Sequence, residues 1–133
     1  MAESLSSYPL WPTIAVTDLA RARKFYEEKL GYGKTVMDNK DMVVYMGADG
    51  TGLLLYPSEE NAGTNKATCA SWNVKDFDAV IAGLRAKGLE FEEYDQPGLK
   101  TEDGVAKWED GGKTVKSAWF KDPDGNIFAI GEV

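Results

Sequence analysis

The nine residues Phe120-Lys121-Asp122-Pro123-Asp124-Gly125-Asn126-Ile127-Phe128 restrict the fold more than any other stretch of the chain. Proline presets one corner of a tight turn and glycine closes it in a left-handed conformation, so an acidic Pro/Gly segment between two apolar runs reads as a β-hairpin. Residues 115–120 and 127–133 are then paired strands.

The segments before this hairpin fall into two copies of one unit. Residues 11–16 alternate as a strand, Asp18 stands where a helix N-cap belongs, and Leu19, Ala22, Phe25, Tyr26 and Leu30 recur at helical spacing before Gly31. Strand-like runs follow at 34–37, 42–46 and 52–57, separated by the polar turns 38–41 and 48–51. The order then returns: a strand at 67–74, Asp76 at the head of a helix carrying Phe77, Val80, Ile81 and Leu84, a stop at Gly88, and strands at 90–94, 115–120 and 127–133. Val16-Thr17-Asp18-Leu19 matches Val74-Lys75-Asp76-Phe77 at an offset of 58 (74 − 16), whereas the Asp-Gly turns at 49 and 124 lie 75 apart (124 − 49). The difference of 17 places an insertion in the second copy, at about 96–112, expected as a polar loop pinned by Trp108.

The predicted fold is therefore α+β: one domain made of tandem βαβββ units, the first at about 8–58 and the second at about 66–133. A chain of 133 residues is long enough to bury about two-thirds of the surface its unfolded form exposes. Its 22 acidic against 15 basic residues give a formal charge of −7, which repels phosphate backbones and anionic lipid and favours a neutral or cationic small molecule. Neither nucleic acid nor a membrane is expected as a partner. One cysteine excludes an intrachain disulfide and fits a reducing, cytoplasmic setting. Histidine is absent altogether.

The first-unit residues Val16, Asp18, Leu19, Phe25, Tyr26, Leu30 and Gly31, with Phe120, Asp122, Pro123, Asp124, Gly125 and Asn126 at the end, resemble the vicinal oxygen chelate superfamily. That superfamily includes glyoxalase I, bleomycin resistance proteins, fosfomycin resistance enzymes and extradiol dioxygenases. The resemblance implies a curved, cup-shaped mixed sheet with the helices on its outer face, and commonly a homodimer. It also implies four metal-ligand stations on the first and fourth strands of each unit, which fall here at Trp11, Leu54, Cys69 and Ala129. Three of these side chains cannot bind a divalent ion, and a lone thiolate is one soft ligand, so neither a metal nor another cofactor is expected.

Period-two alternation puts Ile14 and Val16 beneath the first helix, with Ala70, Trp72 and Val74 beneath the second. The opposite faces then carry the expected ligand-binding set: Trp11, Thr13, Leu54 and Tyr56 from the first unit, Cys69, Ser71, Asn73 and Ala129 from the second, and Trp108 from the insertion. No catalytic residue is assigned; Cys69 is expected to be a buried small hydrophobe, and the carboxylates at 90–95 and in the insertion to be solvated. The expected function is sequestration of a planar or aromatic molecule without metal, in the manner of bleomycin and other antibiotic resistance proteins. The alternatives are a glyoxalase- or dioxygenase-like lyase, isomerase or oxidoreductase with an atypical site, and a non-catalytic module whose cup is filled.

Overall fold

A computed structural model describes residues 4–132, so Val133 of the expected last strand lies outside the described residues. The chain divides into two compact units between Gly63 and Thr64. Both combine a helix with a mixed sheet, the α+β class that the alternating periodicities predict.

In the first unit β1 (Thr13–Val16) leads into α1 (Leu19–Glu28), followed by β2 (Thr35–Asp38), β3 (Val43–Met46) and β4 (Gly52–Pro57). The sheet order is β1-β4-β3-β2, with β1 parallel to β4 and the other neighbours antiparallel. The carboxylate of Asp18 accepts hydrogen bonds from the Ala20 and Arg21 amides, which satisfies two of the donors a helix start leaves open and contributes about 0.5–2 kcal/mol against alanine. The helix buries Ala22 and Tyr26, and Ile14, Val16, Tyr45, Leu53 and Leu55 complete the core. Tyr45 is wholly buried, and its hydroxyl donates to Glu27 of α1 at 2.6 Å, which ties the helix to this face of the sheet.

In the second unit β5 (Thr68–Val74) leads into α2 (Phe77–Ala86), and five strands follow: β6 (Asp95–Gln96), β7 (Leu99–Glu102), β8 (Val105–Asp110), β9 (Lys113–Lys121) and β10 (Ile127–Glu132). Their order is β5-β10-β9-β8-β7-β6, with β5 parallel to β10. Phe77, Ile81, Leu89, Phe120, Phe128 and Ile130 are buried, and Trp72 lies against both Phe120 and Phe128. Asp76 occupies the N-cap position of α2, yet its side chain makes no capping bond, in contrast to Asp18.

Two expectations need correction here. The insertion at 96–112 is not a loop but a β-meander closed by three two-residue turns: Pro97-Gly98, Asp103-Gly104 and Gly111-Gly112. The last two pairs have positive φ throughout, the backbone that a type I′ hairpin turn requires and that Asp-Gly and Gly-Gly supply readily. Residues 90–94, expected as a strand, form none; the segment touches the sheet through the Glu92 amide on the Trp119 carbonyl, and pairing resumes at β6.

The strand register confirms the duplication residue by residue. Thr13 lies opposite Leu54 and Ala15 opposite Tyr56, while Ser71 lies opposite Ala129 and Asn73 opposite Gly131. Each second-unit pair is the first-unit pair moved by 58 on the first strand and 75 on the fourth.

Candidate functional site

Each sheet has one face under its helix and an opposite, more open face on which Val44 and Ala106 are nonetheless buried, and the candidate residues divide between these open faces. On the first unit, Thr13 is exposed, and Leu54 and Tyr56 are half-buried, between the buried Ile14, Leu53 and Leu55 of the opposite face. Trp11 joins them by lying directly on Gly52. A Cβ at residue 52 would sit 2.7 Å from Cδ2 of the indole and 2.8 Å from Cε2, and the indole N–H donates to the Gly50 carbonyl at 2.9 Å. Glycine is therefore required at 52 by close approach rather than by backbone angle. Gly52→Ala should cost about 1–3 kcal/mol by overpacking, read as a lowered urea midpoint; an unchanged midpoint would mean that the indole moves aside freely.

On the second unit, strand pairing builds two rows across the open face. One runs Ser71, Ala129, Trp119; the other runs Asn73, Gly131, Ser117, Ala106. Gly131 lies between polar neighbours, since a Cβ there would meet Asn73 Oδ1 at 3.6 Å and Ser117 Oγ at 3.8 Å. Ala129 and Gly131 thus floor a shallow trough with hydroxyl and amide groups along one side. The other side is aromatic. Trp108 meets Trp119 edge-on with centroids 5.8 Å apart, and Tyr94 meets it from another side at 5.7 Å and 81°. Burial and the nearby Glu92 push the Tyr94 phenol up, so it stays a neutral donor at physiological pH.

Of the expected set, Ser71, Asn73, Ala129 and Trp108 are therefore gathered on this face, and Trp11, Thr13, Leu54 and Tyr56 on that of the first unit. Trp119 and Tyr94 were not expected. Trp119 was legible, because alternation from the core residue Phe120 sends its neighbour to the other face. Tyr94 was not, since its contact depends on where the chain runs between α2 and the meander.

Cys69 departs from expectation in being exposed. It lies where a register shift at Ile127/Phe128 interrupts the β5–β10 pairing, and its thiol donates to the Ile127 carbonyl at 3.1 Å. Desolvation and then the charge of Asp122 push this thiol above its ordinary range. Alkylation by iodoacetamide at pH 7 should accordingly run slower than that of an unstructured cysteine peptide; equal rates would contradict the raised pKa.

The four stations that the family resemblance assigns to a metal do not form a donor set. The Trp11 nitrogen carries a hydrogen given to the Gly50 carbonyl and has no free lone pair, Leu54 and Ala129 carry no ligating side-chain atom, and Cys69 alone offers one soft sulfur. Among the described residues no three His, Cys, Asp or Glu side chains come together as a metal-holding group.

The carboxylates expected to be solvated are partly engaged. Glu92 pairs with Lys121 at 3.3 Å, Glu109 accepts from the Thr114 hydroxyl, and Glu93 accepts from Thr101 and from the Gly104 amide. No helix among the described residues is long and apolar enough to cross a membrane.

Comparison with known proteins agrees with this architecture. No curated protein matches the chain. Among solved structures, a glyoxalase/bleomycin resistance protein from Catenulispora acidiphila is 25% identical, with a TM-score of 0.65 over 95% of this chain and 98% of that one. A glyoxalase/bleomycin resistance protein/dioxygenase from Alicyclobacillus acidocaldarius shares the fold at 18% identity and a TM-score of 0.69, over 93% and 89% of the two chains. TnmS3, an antibiotic binding protein from a Streptomyces species, shares it at 21% identity and a TM-score of 0.66, over 99% and 98%. Residues 9–130 match the family model itself, and with the duplicated strand register this places the chain in the Glyoxalase/Bleomycin resistance protein/Dioxygenase superfamily.

Proposed function

We propose that this protein sequesters a planar, aromatic small molecule on the open face of its second unit, and does so without a metal ion. The observation that carries the reading is the trough beside Trp108, Trp119 and Tyr94, whose floor is kept low by Ala129 and Gly131. A flat ring laid over such a floor would contact indole edges on one side and the Ser71 and Asn73 side chains on the other. Aromatic contacts of this kind add about 0.5–1.5 kcal/mol each beyond the area they bury. A formal charge of −7 favours a cationic ligand over an anionic one, and an electron-rich indole face does the same. Supporting the absence of a metal is the chemistry of the four stations, of which only Cys69 offers a ligand atom. That the neighbouring fold of TnmS3 serves antibiotic binding makes a toxic ring system a reasonable class of ligand.

Proflavine, which is planar and cationic, is a suitable probe. It should quench tryptophan fluorescence saturably, with an affinity that EDTA leaves unchanged. Trp119→Ala should weaken binding at least about tenfold, as for an aromatic anchor, without loss of the folded far-UV spectrum. Equal affinity in wild type and variant would remove Trp119 from the site, and dependence on added zinc, manganese or iron would favour an enzyme. The homodimer implied by the family resemblance belongs to the same proposal, and light scattering that returns a monomer mass would dismiss it.

A further inference from the structure

We propose that Glu93 and Thr101 are positioning residues for the aromatic wall of the second unit, locking Tyr94 and the β7–β8 turn so that Trp119 is held between Tyr94 and Trp108. Its consequence for affinity rests on the ligand reading above; the geometric claim does not.

Thr101 is one of few polar residues in the core, only 7% exposed, and its hydroxyl both accepts and donates a hydrogen bond. Its hydroxyl accepts the Tyr94 amide at 2.8 Å and donates to Glu93 Oε1 at 2.7 Å, while its own amide donates to the Tyr94 carbonyl at 2.9 Å. The backbone of Tyr94 is thereby bonded through both its N–H and its C=O to a single residue of β7. A buried hydroxyl in this role sets geometry, because leaving the amide unpaired would cost more than the bond itself contributes.

Glu93 extends the lock to the far end of the meander. The oxygen that accepts from Thr101 also accepts the Gly104 amide at 2.6 Å, so one carboxylate holds both β7 and the turn that starts β8. These same two donors hold the Glu93 carboxyl below its ordinary value, so it is ionised at neutral pH. The turn is also pressed from the helix side. Arg85 of α2 donates to the Asp103 carbonyl and lies over the Phe91 ring at 5.5 Å from its centroid, and a Cβ on Gly104 would come within 2.9 Å of Phe91.

Trp119 is the element that this arrangement positions. Its ring meets Tyr94 at 81° and Trp108 at 75°, so rotation of either neighbour would open room for it to swing. By register Thr101 stands at the far end of the row Asn73, Gly131, Ser117, Ala106, where it is buried with its hydroxyl turned to Tyr94 and Glu93. The influence of Glu93 and Thr101 runs through the Tyr94 backbone on one side and the β7–β8 turn on the other.

Two indoles at 5.8 Å in a fixed orientation produce an exciton couplet in circular dichroism, a signature that requires defined mutual geometry and not merely a folded chain. The difference between wild type and Trp108→Phe isolates it. Thr101→Val, which keeps the shape and removes the hydroxyl, and Glu93→Ala should each diminish the couplet; Thr101→Ser and Glu93→Gln, which keep the bonding atoms, should retain it. Proflavine affinity should fall about fivefold in the first pair, the loss expected for one net hydrogen bond. A couplet of wild-type amplitude in both Thr101→Val and Glu93→Ala would overturn the proposal, whatever their melting temperatures. If wild type shows the couplet but no proflavine binding, the ligand reading fails, and the couplet comparison still decides the positioning.

Discussion

Phe120→Ala is expected to lower stability by about 3–5 kcal/mol, the range for emptying a fully buried aromatic site. Phe120 is at 0% exposure and belongs to a cluster of mutually touching rings: it lies 5.6 Å from Phe128 at 21° and 5.9 Å from Trp72 at 18°, with Phe91 edge-on at 6.3 Å. Removing the Phe120 ring takes away burial and leaves Trp72, Phe91 and Phe128 facing a void. Strands β5, β9 and β10 are paired along their lengths, so the sheet cannot close up without breaking its own hydrogen bonds. Domains of this size commonly have about 5–15 kcal/mol in total, so the loss should be visible as partial unfolding near physiological temperature. Urea denaturation followed by far-UV circular dichroism measures it, and a loss below about 1 kcal/mol would show that the cluster relaxes around the gap.

Asp122→Ala should cost about 2–6 kcal/mol, built from two buried donors left without acceptors at about 1–3 kcal/mol each. Asp122 is 5% exposed and acts as the hub of the closing hairpin. Its Oδ1 accepts the amides of Asp124 and Asn126, both at 2.9 Å, and its Oδ2 accepts the Asn126 side-chain amide at 2.8 Å. The backbone adds a bond from the Asp122 amide to the Asn126 carbonyl and another from the Gly125 amide to the Asp122 carbonyl. Asn126 is itself only 9% exposed, so water cannot readily replace the lost carboxylate. Asp122→Asn retains one acceptor oxygen but directs an NH2 group at the NH2 of Asn126, and should fall between wild type and alanine. The same urea titration tests both, and equal stability of all three proteins would show that the hairpin is held by its proline and glycine alone.

The Asp-Pro-Asp-Gly-Asn motif was thus readable as a hairpin from turn chemistry, but not as a buried hydrogen-bonded knot. The difference is one of range. Pro123 and Gly125 act on their own dihedral angles, whereas the burial of Asp122 and Asn126 depends on what packs over the turn. The meander shows another kind of gap. Asp103-Gly104 and Gly111-Gly112 were present as turn signals, yet the stretch between them is so polar that its strands look like loop; β8 alternates only Ala106 and Trp108 against Lys107 and Glu109. A strand whose outer face is solvated and whose inner face is an open trough has little apolar pattern to display.

Among the candidate residues, the positions on β1, β4, β5 and β10 followed from the duplication, because equal offsets in sequence became equal offsets in register. Cys69 did not follow, since the register shift at Ile127/Phe128 leaves its side chain exposed at a break in pairing rather than packed as a small hydrophobe. Glu93 was read as one of several solvated carboxylates, and it is exposed like Glu90 and Asp95, but its carboxylate also accepts from Thr101 and the Gly104 amide. Nothing in its neighbours distinguishes it, and its partners Thr101 and Gly104 lie 8 and 11 residues away.

What the chain settles by itself is whatever short-range physics decides: the two helix starts, the buried faces of β1, β4, β5 and β10, the terminal turn, and a repeat exact enough to pair its strands. Periods of 2 and 3.6 and the dihedral limits of proline and glycine act within a few residues, so they survive being read as a string. Which aromatic rings meet at the trough was decided only by the folded sheet. Trp108, Trp119 and Tyr94 are brought together by four strands joined through three tight turns, where a slip of a single residue would turn each side chain to the opposite face.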